Sequence, residues 1–387
     1  MYPKLSDLIN SLFGTNIDLP VQTYGFFVAL AFILAGIIVY FELKRKEKNG
    51  TLSPQMKERV RGKPASFSEL AISFVLSGIV LLKLSGIILS YEKFTENPQE
   101  FIFSWQGNWF IGLGGALAYT FYIYWQKRKQ QLPKPVTVKE KVHPYQLTGS
   151  ILLVAAIAGL VGSKLFDVVE HLDQLAKDPI GTLFSLSGLA FYGGLIVAAI
   201  AVAVYAEKNG IPWPVIGDTV APGLLVGYGT GRIGCQLSGD GCWGIVNNAP
   251  KPDWLSFLPD WIWASRYPHN VIDEGVLISN CTGDHCHILA EPVFPTPFYE
   301  TVIVYLFFIV LWSLRKKIAI PGMMFSIYLI LNGVERFFIE KIRVNIRYDI
   351  AGLNVTQAEI ISIVLIILGI AGIFYFRHRY NNKIPST

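Results

Sequence analysis

"ILNGVERFFIEKIRVN", residues 330–345, closes an apolar run that begins near Ile320. It carries Asn332, Glu335, Arg336, Glu340, Lys341 and Arg343 at the end of a segment that otherwise reads as membrane. A helix starting at Ile320 places Arg336 roughly 24 Å along its axis at ~1.5 Å per residue. That lies in the last third of a ~30 Å hydrocarbon core, with Glu340 and Arg343 at the interface. At the helical repeat, Asn332, Arg336, Glu340 and Arg343 share one face within about 80°. Lys341 points elsewhere and can reach water along its stem. A charge at such depth costs ~2.5–3.5 kcal/mol and usually faces a cavity and a partner. Glu340 stands i,i+4 from Arg336 and i,i+3 from Arg343, so it can partly neutralise either. One positive charge is left over, which points to an anionic ligand. A helix end that merely orients the chain explains Lys341 and Arg343 but not the stripe.

The rest of the chain reads the same way. Of 387 residues 52% are hydrophobic and 16% charged, with net charge +5 and a mean hydropathy of +0.42. A soluble domain carries about a quarter charged residues. Runs at 22–41, 68–90, 107–125, 146–166, 188–206, 213–231, 298–314, 320–342 and 357–376 each approach the ~20 residues of a bilayer-spanning helix. The fold class is therefore an all-α integral membrane protein of about nine transmembrane helices, one polytopic domain over 1–387 with a small extracytoplasmic head loop at 235–296. The start, "MYPKLSDLINSLFG", lacks a basic region followed by an apolar core and reads as a short amphipathic helix at the interface. Basic loops at 44–63, 126–141, 315–317 and 377–383 alternate with loops poor in Lys and Arg. The positive-inside rule then sets the N-terminus outside and the C-terminus in the cytoplasm.

A gapless repeat pairs 83–115 with 164–196. Lys83 matches Lys164, Pro98 Pro179, Phe103 Phe184, Gly107 Gly188, Phe110 Phe191, Gly112 Gly193 and Tyr124 Tyr205. The unit is two spans, 66–127 and then 146–206, which implies a duplicated helix pair. In the outer loop, Cys281 and Cys286 are open to three readings. An oxidising compartment permits a disulfide, the two can stay free, and His285 and His287 make a zinc site conceivable. No second ligand cluster completes a tetrahedral site.

A second polar cluster, "GYGTGRIGCQLSGDGCWG" (227–244), follows the sixth span on the outer side. Its G-x-G-x-x-G, Gly229 to Gly234, lacks the preceding strand that a dinucleotide site needs. Such glycines, Gly231 and Gly234 among them, let backbone N–H groups approach an anion as a nest. Arg232 adds a planar cation suited to phosphate, and Asp240 is the carboxylate within the motif. Tyr24-Gly25 opens the first span, "AFYGG" (190–194) the fifth and "FPTPFYE" (294–300) the seventh. Tyr24 and Tyr299 singly read as interfacial aromatics. Together, polar groups from several helices at one outer depth describe a lipid-headgroup site.

These motifs resemble the bacterial prolipoprotein diacylglyceryl transferase family. "DTVAPGLLVGYGTGRIGCQLSGDGCWG" (218–244) is similar to its A-P pair followed by G-R-x-G-N-F-x-N-x-E-x-W-G, and "GLAFYGG" (188–194) to G-x-S-F-H-G-G. "PTPFYE" (295–300) is similar to H-P-S-Q-L-Y-E, and "RFFIEKIR" (336–343) to R-x-x-x-E-x-x-R. The likeness covers roughly 145–377 and the first span. The first copy of the repeat would be an addition to a seven-span core. The resemblance implies transfer of the diacylglyceryl group of phosphatidylglycerol to the lipobox cysteine of prolipoprotein signal peptides in the bacterial inner membrane, with release of glycerol phosphate. By the match, Arg232 and Arg336 bind phosphate, Glu340 orients Arg336, and Tyr24 and Arg343 complete the site. Asp240 and Tyr192 join the catalytic candidates. Gly193, Gly194, Gly231, Gly234, Ser238, Gly244, Tyr299 and Asn332 join the substrate-binding ones. No metal, nucleotide or other cofactor is called for, and the partners are membrane lipids rather than nucleic acid.

The chain departs from the family pattern where a base would sit. The His of F-H-G-G is Tyr192, family Asn positions become Cys235 and Ser238, and one extra residue precedes Trp243. Both the His and the Gln of the seventh-span motif are missing. Asp240 or an outer-loop His such as His269 could be recruited, so the base stays unassigned. The competing class is a transporter or binder of an anionic lipid or solute. Such sites usually lie at the midplane between pseudo-symmetric halves, whereas the repeat here covers four spans.

Overall fold

The computed structural model describes residues 1–19, 21–90, 94, 101, 104–178, 182, 190–350 and 353–382. The repeat positions Pro98, Pro179, Phe103, Phe184 and Gly188, and most of the first copy's outer loop, lie outside them. The chain divides into two compact units, Met56–Val142 and the remainder, Met1–Gln55 with His143–Thr387.

In the smaller unit, α3 (Phe67–Leu89) packs on α4 (Trp109–Lys129). Strands β1 (Gln55–Arg61) and β2 (Val136–Val142), before and after the hairpin, pair with each other. Ser66 caps α3 by accepting from the Glu69 N–H, while the Glu69 side chain returns to Ser66 N. Asn108 caps α4 through Ile111 N at 3.1 Å. The apolar side chains of both helices are widely exposed, Phe110 by 91%. A helix apolar on its outer face suits lipid, not water.

The larger unit begins with a short helix α1 (Leu5–Phe13) and the long α2 (Thr23–Lys48). Next come α5 (Thr148–Glu170), α6 (Phe191–Lys208), α7 (Trp213–Ser238), α8 (Thr296–Leu314), α9 (Met323–Glu340) and α10 (Gln357–Asn381). Helix α7 is central and contacts α2, α6, α8 and α9, while α5 pairs with α6 and α9 with α10. Ala221 and Leu225 of α7 share a core with Val304 and Leu311 of α8 and Met324 of α9. Pro222 inside α7 removes one helical N–H. Four residues earlier, the buried Asp218 carboxylate accepts from Gly322 N (2.8 Å) and Phe325 N (2.9 Å), capping α9. Near the C-terminal end of α2, Glu42 is 1% exposed and held by Arg45 and by Arg315, just past α8. Two further short ribbons, β3–β4 (Val276–Leu277, His287–Ile288) and β5–β6 (Arg347–Ile350, Leu353–Thr356), are antiparallel.

Among the described residues, five helices are long and apolar enough to cross a membrane: Thr23–Lys48, Phe67–Leu89, Pro144–Glu170, Thr296–Leu314 and Gln357–Asn381. Gly193 and Gly194 of the fifth apolar run let α5 and α6 approach closely. A Cβ on Gly193 would lie 2.3 Å from Phe166 Cβ, and one on Gly194 2.2 Å from Ser163 Oγ. Gly193→Ala is expected to cost about 1–3 kcal/mol through overpacking of α5 on α6, read as a lower melting temperature in detergent. Phe166→Ala should recover part of it. An unchanged melt in Gly193→Ala would contradict the packing role.

Candidate active site

The site grows from four helix ends. The sequence puts the G-x-G-x-x-G in a loop nest, but α7 runs unbroken to Ser238, so Gly229–Gly234 are helical. Their N–H groups lie within an α-helical hydrogen-bond ladder, and the anion-nest reading is therefore corrected. The flanking residues are good enough helix formers, and the glycines instead let neighbours approach. A Cβ on Gly234 would meet Phe27 Cβ at 2.9 Å and Tyr24 Cα at 3.4 Å, so α2 lies close on α7 there. Gly231 has open space beside it. The chain turns only after the helix, with left-handed Gly239 (φ 67°) and Gly241 (φ 85°).

Helix α7 thereby aims Arg232 at Glu300, in the first turns of α8. Glu300 is wholly buried and is the hub of the site. Arg232 Nε pairs with its Oε2, and Tyr228 donates to the same oxygen at 2.9 Å. Arg343 Nη1 donates to Oε1 at 2.9 Å, and Arg336 Nη1 stands 3.8 Å from it. Arg336 Nη2 pairs with Glu340 Oε2 at 2.8 Å, as the i,i+4 spacing predicts. Asn345 donates to the other Glu340 oxygen. Arg343, expected on Glu340, turns to Glu300 instead. Helix α9 stops at Glu340, so residue 343 leaves the helical register and bridges Gly244 as extended backbone.

Glu300 and Glu335 are the residues that sequence reasoning missed. Glu300 sits inside the quoted "FPTPFYE", and a carboxylate opening a membrane span was the available signal. Glu335 is 2% exposed, and neither of its oxygens has a hydrogen-bond partner among the described residues. Three guanidinium groups against two paired carboxylates leave one positive charge. Glu335 would offset it only as an ion, and an ionised carboxylate buried without a partner is costly.

The remaining candidates divide. Tyr24 begins α2 beside Gly234 and is 45% exposed. Asn332 lies one turn before Arg336 on α9. Tyr192 stands in the first turn of α6. Ser238 is buried at the end of α7, its hydroxyl directed to the Cys235 carbonyl. Tyr299 donates to Ile262 O at 2.7 Å, which ties it to the head loop. Gly244 is needed because a Cβ would lie 2.3 Å from the Ile342 carbonyl, the close contact that seats the loop against Arg343.

The loop 239–244 is firmly placed. Thr296 Oγ1 donates to Cys242 O at 2.7 Å, and Gly244 N to Phe294 O at 2.8 Å. Asp240 Oδ1 accepts from Cys242 N at 3.2 Å. The Sγ atoms of Cys235 and Cys242 lie within 4.8 Å of each other. Arg232 Nη1 lies 3.8 Å from Cys235 Sγ. Trp243 packs against Tyr267, which donates to Gln236 at 2.8 Å; burial pushes that phenol up. His269 Nδ1 donates to His285 O at 2.8 Å. Cys281 and Cys286 are joined as a disulfide, one of the three readings left open above.

The sequence pattern of the family described as prolipoprotein diacylglyceryl transferase matches residues 12–138 and 134–375. The chain belongs to this family. Among prolipoprotein diacylglyceryl transferase relatives, the phosphatidylglycerol–prolipoprotein diacylglyceryl transferase of Leptospira interrogans is 29% identical over 242 residues, covering 55% of this chain and 66% of the relative. The proteins so named in Shouchella clausii and Staphylococcus aureus are 27% and 30% identical over 252 residues, covering 63% and 64% of this chain and 82% and 80% of theirs. Membership of the prolipoprotein diacylglyceryl transferase family and the five apolar helices together make this a multi-pass bacterial membrane protein.

Proposed function

We propose that the chain transfers the diacylglyceryl group of phosphatidylglycerol to a prolipoprotein lipobox thiol, at the cluster organised by Glu300. The observation that carries this reading is three guanidinium groups converging on one buried carboxylate, with a positive charge to spare. The reaction breaks a carbon–oxygen bond to phosphate, so it needs preorganised cations where leaving-group charge develops. Arg232 and Arg336 hold the phosphate, Glu340 orients Arg336, and Arg343 and Tyr24 close the site. Asp240, Tyr192 and Asn332 line it. Nine helices cross the inner membrane, with the N-terminus outside and the C-terminus in the cytoplasm. The basic last turns of α2 and α10 support that orientation.

Purified protein, a lipobox peptide and phosphatidylglycerol vesicles test the reading by mass spectrometry. A peptide heavier by one diacylglyceryl group is expected. An unmodified peptide, where a relative with the activity modifies it, refutes the assignment.

Two smaller effects follow. Tyr192→Phe is expected to lower the rate less than Arg232→Ala, because a phenol is a poor base near neutrality. An equally deep loss in folded protein would give Tyr192 a direct chemical role. The hairpin α3–α4 is read as the added copy of the repeat and as scaffold, a reading supported by the two overlapping family matches. Asn108→Ala should cost about 1 kcal/mol through the lost cap while transfer stays within about threefold. Abolished transfer in folded Asn108→Ala protein would place the hairpin in the site.

A further inference from the structure

The Glu300 cluster serves the leaving group. The thiol needs a separate device, since a free cysteine with a pKa near 8.5 is mostly protonated at neutral pH. Beside Arg232 the chain builds a second group of side chains. Cys235 lies in the last turn of α7, the left-handed turns at Gly239 and Gly241 fold the chain back, and Asp240 and Cys242 return to it. The Sγ atoms of Cys235 and Cys242 and a carboxylate oxygen of Asp240 all lie within 4.8 Å of one another.

We propose that Cys235, Asp240 and Cys242 form a zinc-type metal site whose open position receives the acceptor thiol. The acceptor half of this proposal rests on the transferase reading; the metal half does not.

The donor set is right for the ion. Zinc takes thiolate at about 2.3 Å and carboxylate at about 2.0–2.2 Å, and catalytic zinc keeps three protein ligands and one open position. Neighbouring ligands around such a tetrahedron lie about 3.5–3.8 Å apart. The three atoms therefore need to close by no more than about an ångström. The frame that carries them is already fixed. Thr296 holds the Cys242 carbonyl, Asp240 holds the Cys242 N–H, and Gly239 N donates to Cys235 O at 3.0 Å. Both cysteines are free, while Cys281 and Cys286 are paired.

Charge agrees as well. Two thiolates and a carboxylate on a divalent ion leave one negative charge. The Arg232 guanidinium, 3.8 Å from Cys235 Sγ, complements it. The same arginine thus borders both the metal and the phosphate, which sets the nucleophile beside the bond to be broken. The acceptor thiol binds the open position as thiolate and its proton passes to water. Its sulfur forms the new bond to the diacylglyceryl carbon as the carbon–oxygen bond to phosphate breaks. Glycerol phosphate departs with the electron pair. The thioether product is neutral and a weaker donor, so it leaves the ion.

The test uses the full chain in detergent, loaded with zinc, washed with a weak chelator and analysed by elemental mass spectrometry. About one equivalent should remain on wild type. Cys242→Ser should retain less than about a tenth of that, and Asp240→Asn, which loses a ligand oxygen, clearly less than wild type. Cobalt loading should give a thiolate-to-cobalt charge-transfer band that changes when lipobox peptide is added and not when its serine analogue is. Zinc content equal to that of folded Cys242→Ser overturns the metal site. So does an intact mass short by two hydrogens under the same conditions, with Cys235 and Cys242 mapped as a disulfide. Chelated protein that transfers at the full rate overturns the acceptor role and leaves the transferase reading standing. Zinc-loaded protein that never modifies the peptide overturns the transferase reading and, with it, the acceptor role.

Discussion

Glu300→Gln is expected to lower transfer by about 10²–10³-fold, the loss seen when one preorganised charge contact is removed from a transition state. The carboxylate touches no substrate in this account. It fixes Arg232 through Nε, holds Arg343 at 2.9 Å and stands 3.8 Å from Arg336. An amide keeps the shape but replaces one acceptor oxygen with a donor facing guanidinium groups. Three cations would then repel one another in a buried place, and the phosphate would meet them misaligned. A misplacement of about an ångström alone can cost 10²-fold. Breaking a buried ion-pair network also costs about 3–5 kcal/mol of stability, so the melt must be followed beside the rate. A fall confined to kcat in protein that still melts cooperatively marks positioning. Near-wild-type turnover in Glu300→Gln would remove the hub from the mechanism.

Arg232→Lys and Arg336→Lys should each lose about 10²-fold in kcat although the charge is retained. Each arginine performs two tasks at once. Arg232 pairs with Glu300 through Nε and leaves its terminal nitrogens toward Cys235 and the open side of the site. Arg336 holds Glu340 with Nη2 and faces Glu300 with Nη1. A planar fork can bind a carboxylate on one edge and a phosphate on another, whereas an ammonium is a single point of charge. Lys would be drawn to the buried carboxylate and withdrawn from the substrate. Steady-state kinetics on both variants checks this, and full activity in both at normal expression would contradict it.

The polar face of α9 was legible because helical spacing alone groups Asn332, Arg336 and Glu340, and the Arg336–Glu340 pair follows from it. The partner of Arg343 was not, because it depends on where the helix stops and on a residue of another span. Glu300 illustrates the same limit: a lone carboxylate in "FPTPFYE" acquires its meaning only when α7 and α9 bring three arginines to it. The glycines of "GYGTGRIG" carry opposite meanings in a loop and in a helix. Pattern could not choose between them, because close packing of α2 on α7 is a tertiary fact. The approach of Cys242 to Cys235 likewise depends on two left-handed turns, and spacing along the chain does not reveal it.

In the proposed reaction one bond is broken and one made at the Glu300 cluster. The most direct measurement uses phosphatidylglycerol labelled separately in its acyl chains and in its headgroup, with purified protein and lipobox peptide. Acyl label is expected to enter the peptide while an equal amount of headgroup label appears in the aqueous phase as glycerol phosphate, and neither should move with Arg232→Ala. Both labels staying together on lipid, whether bound or carried across the bilayer, would contradict it and favour a lipid binder or transporter.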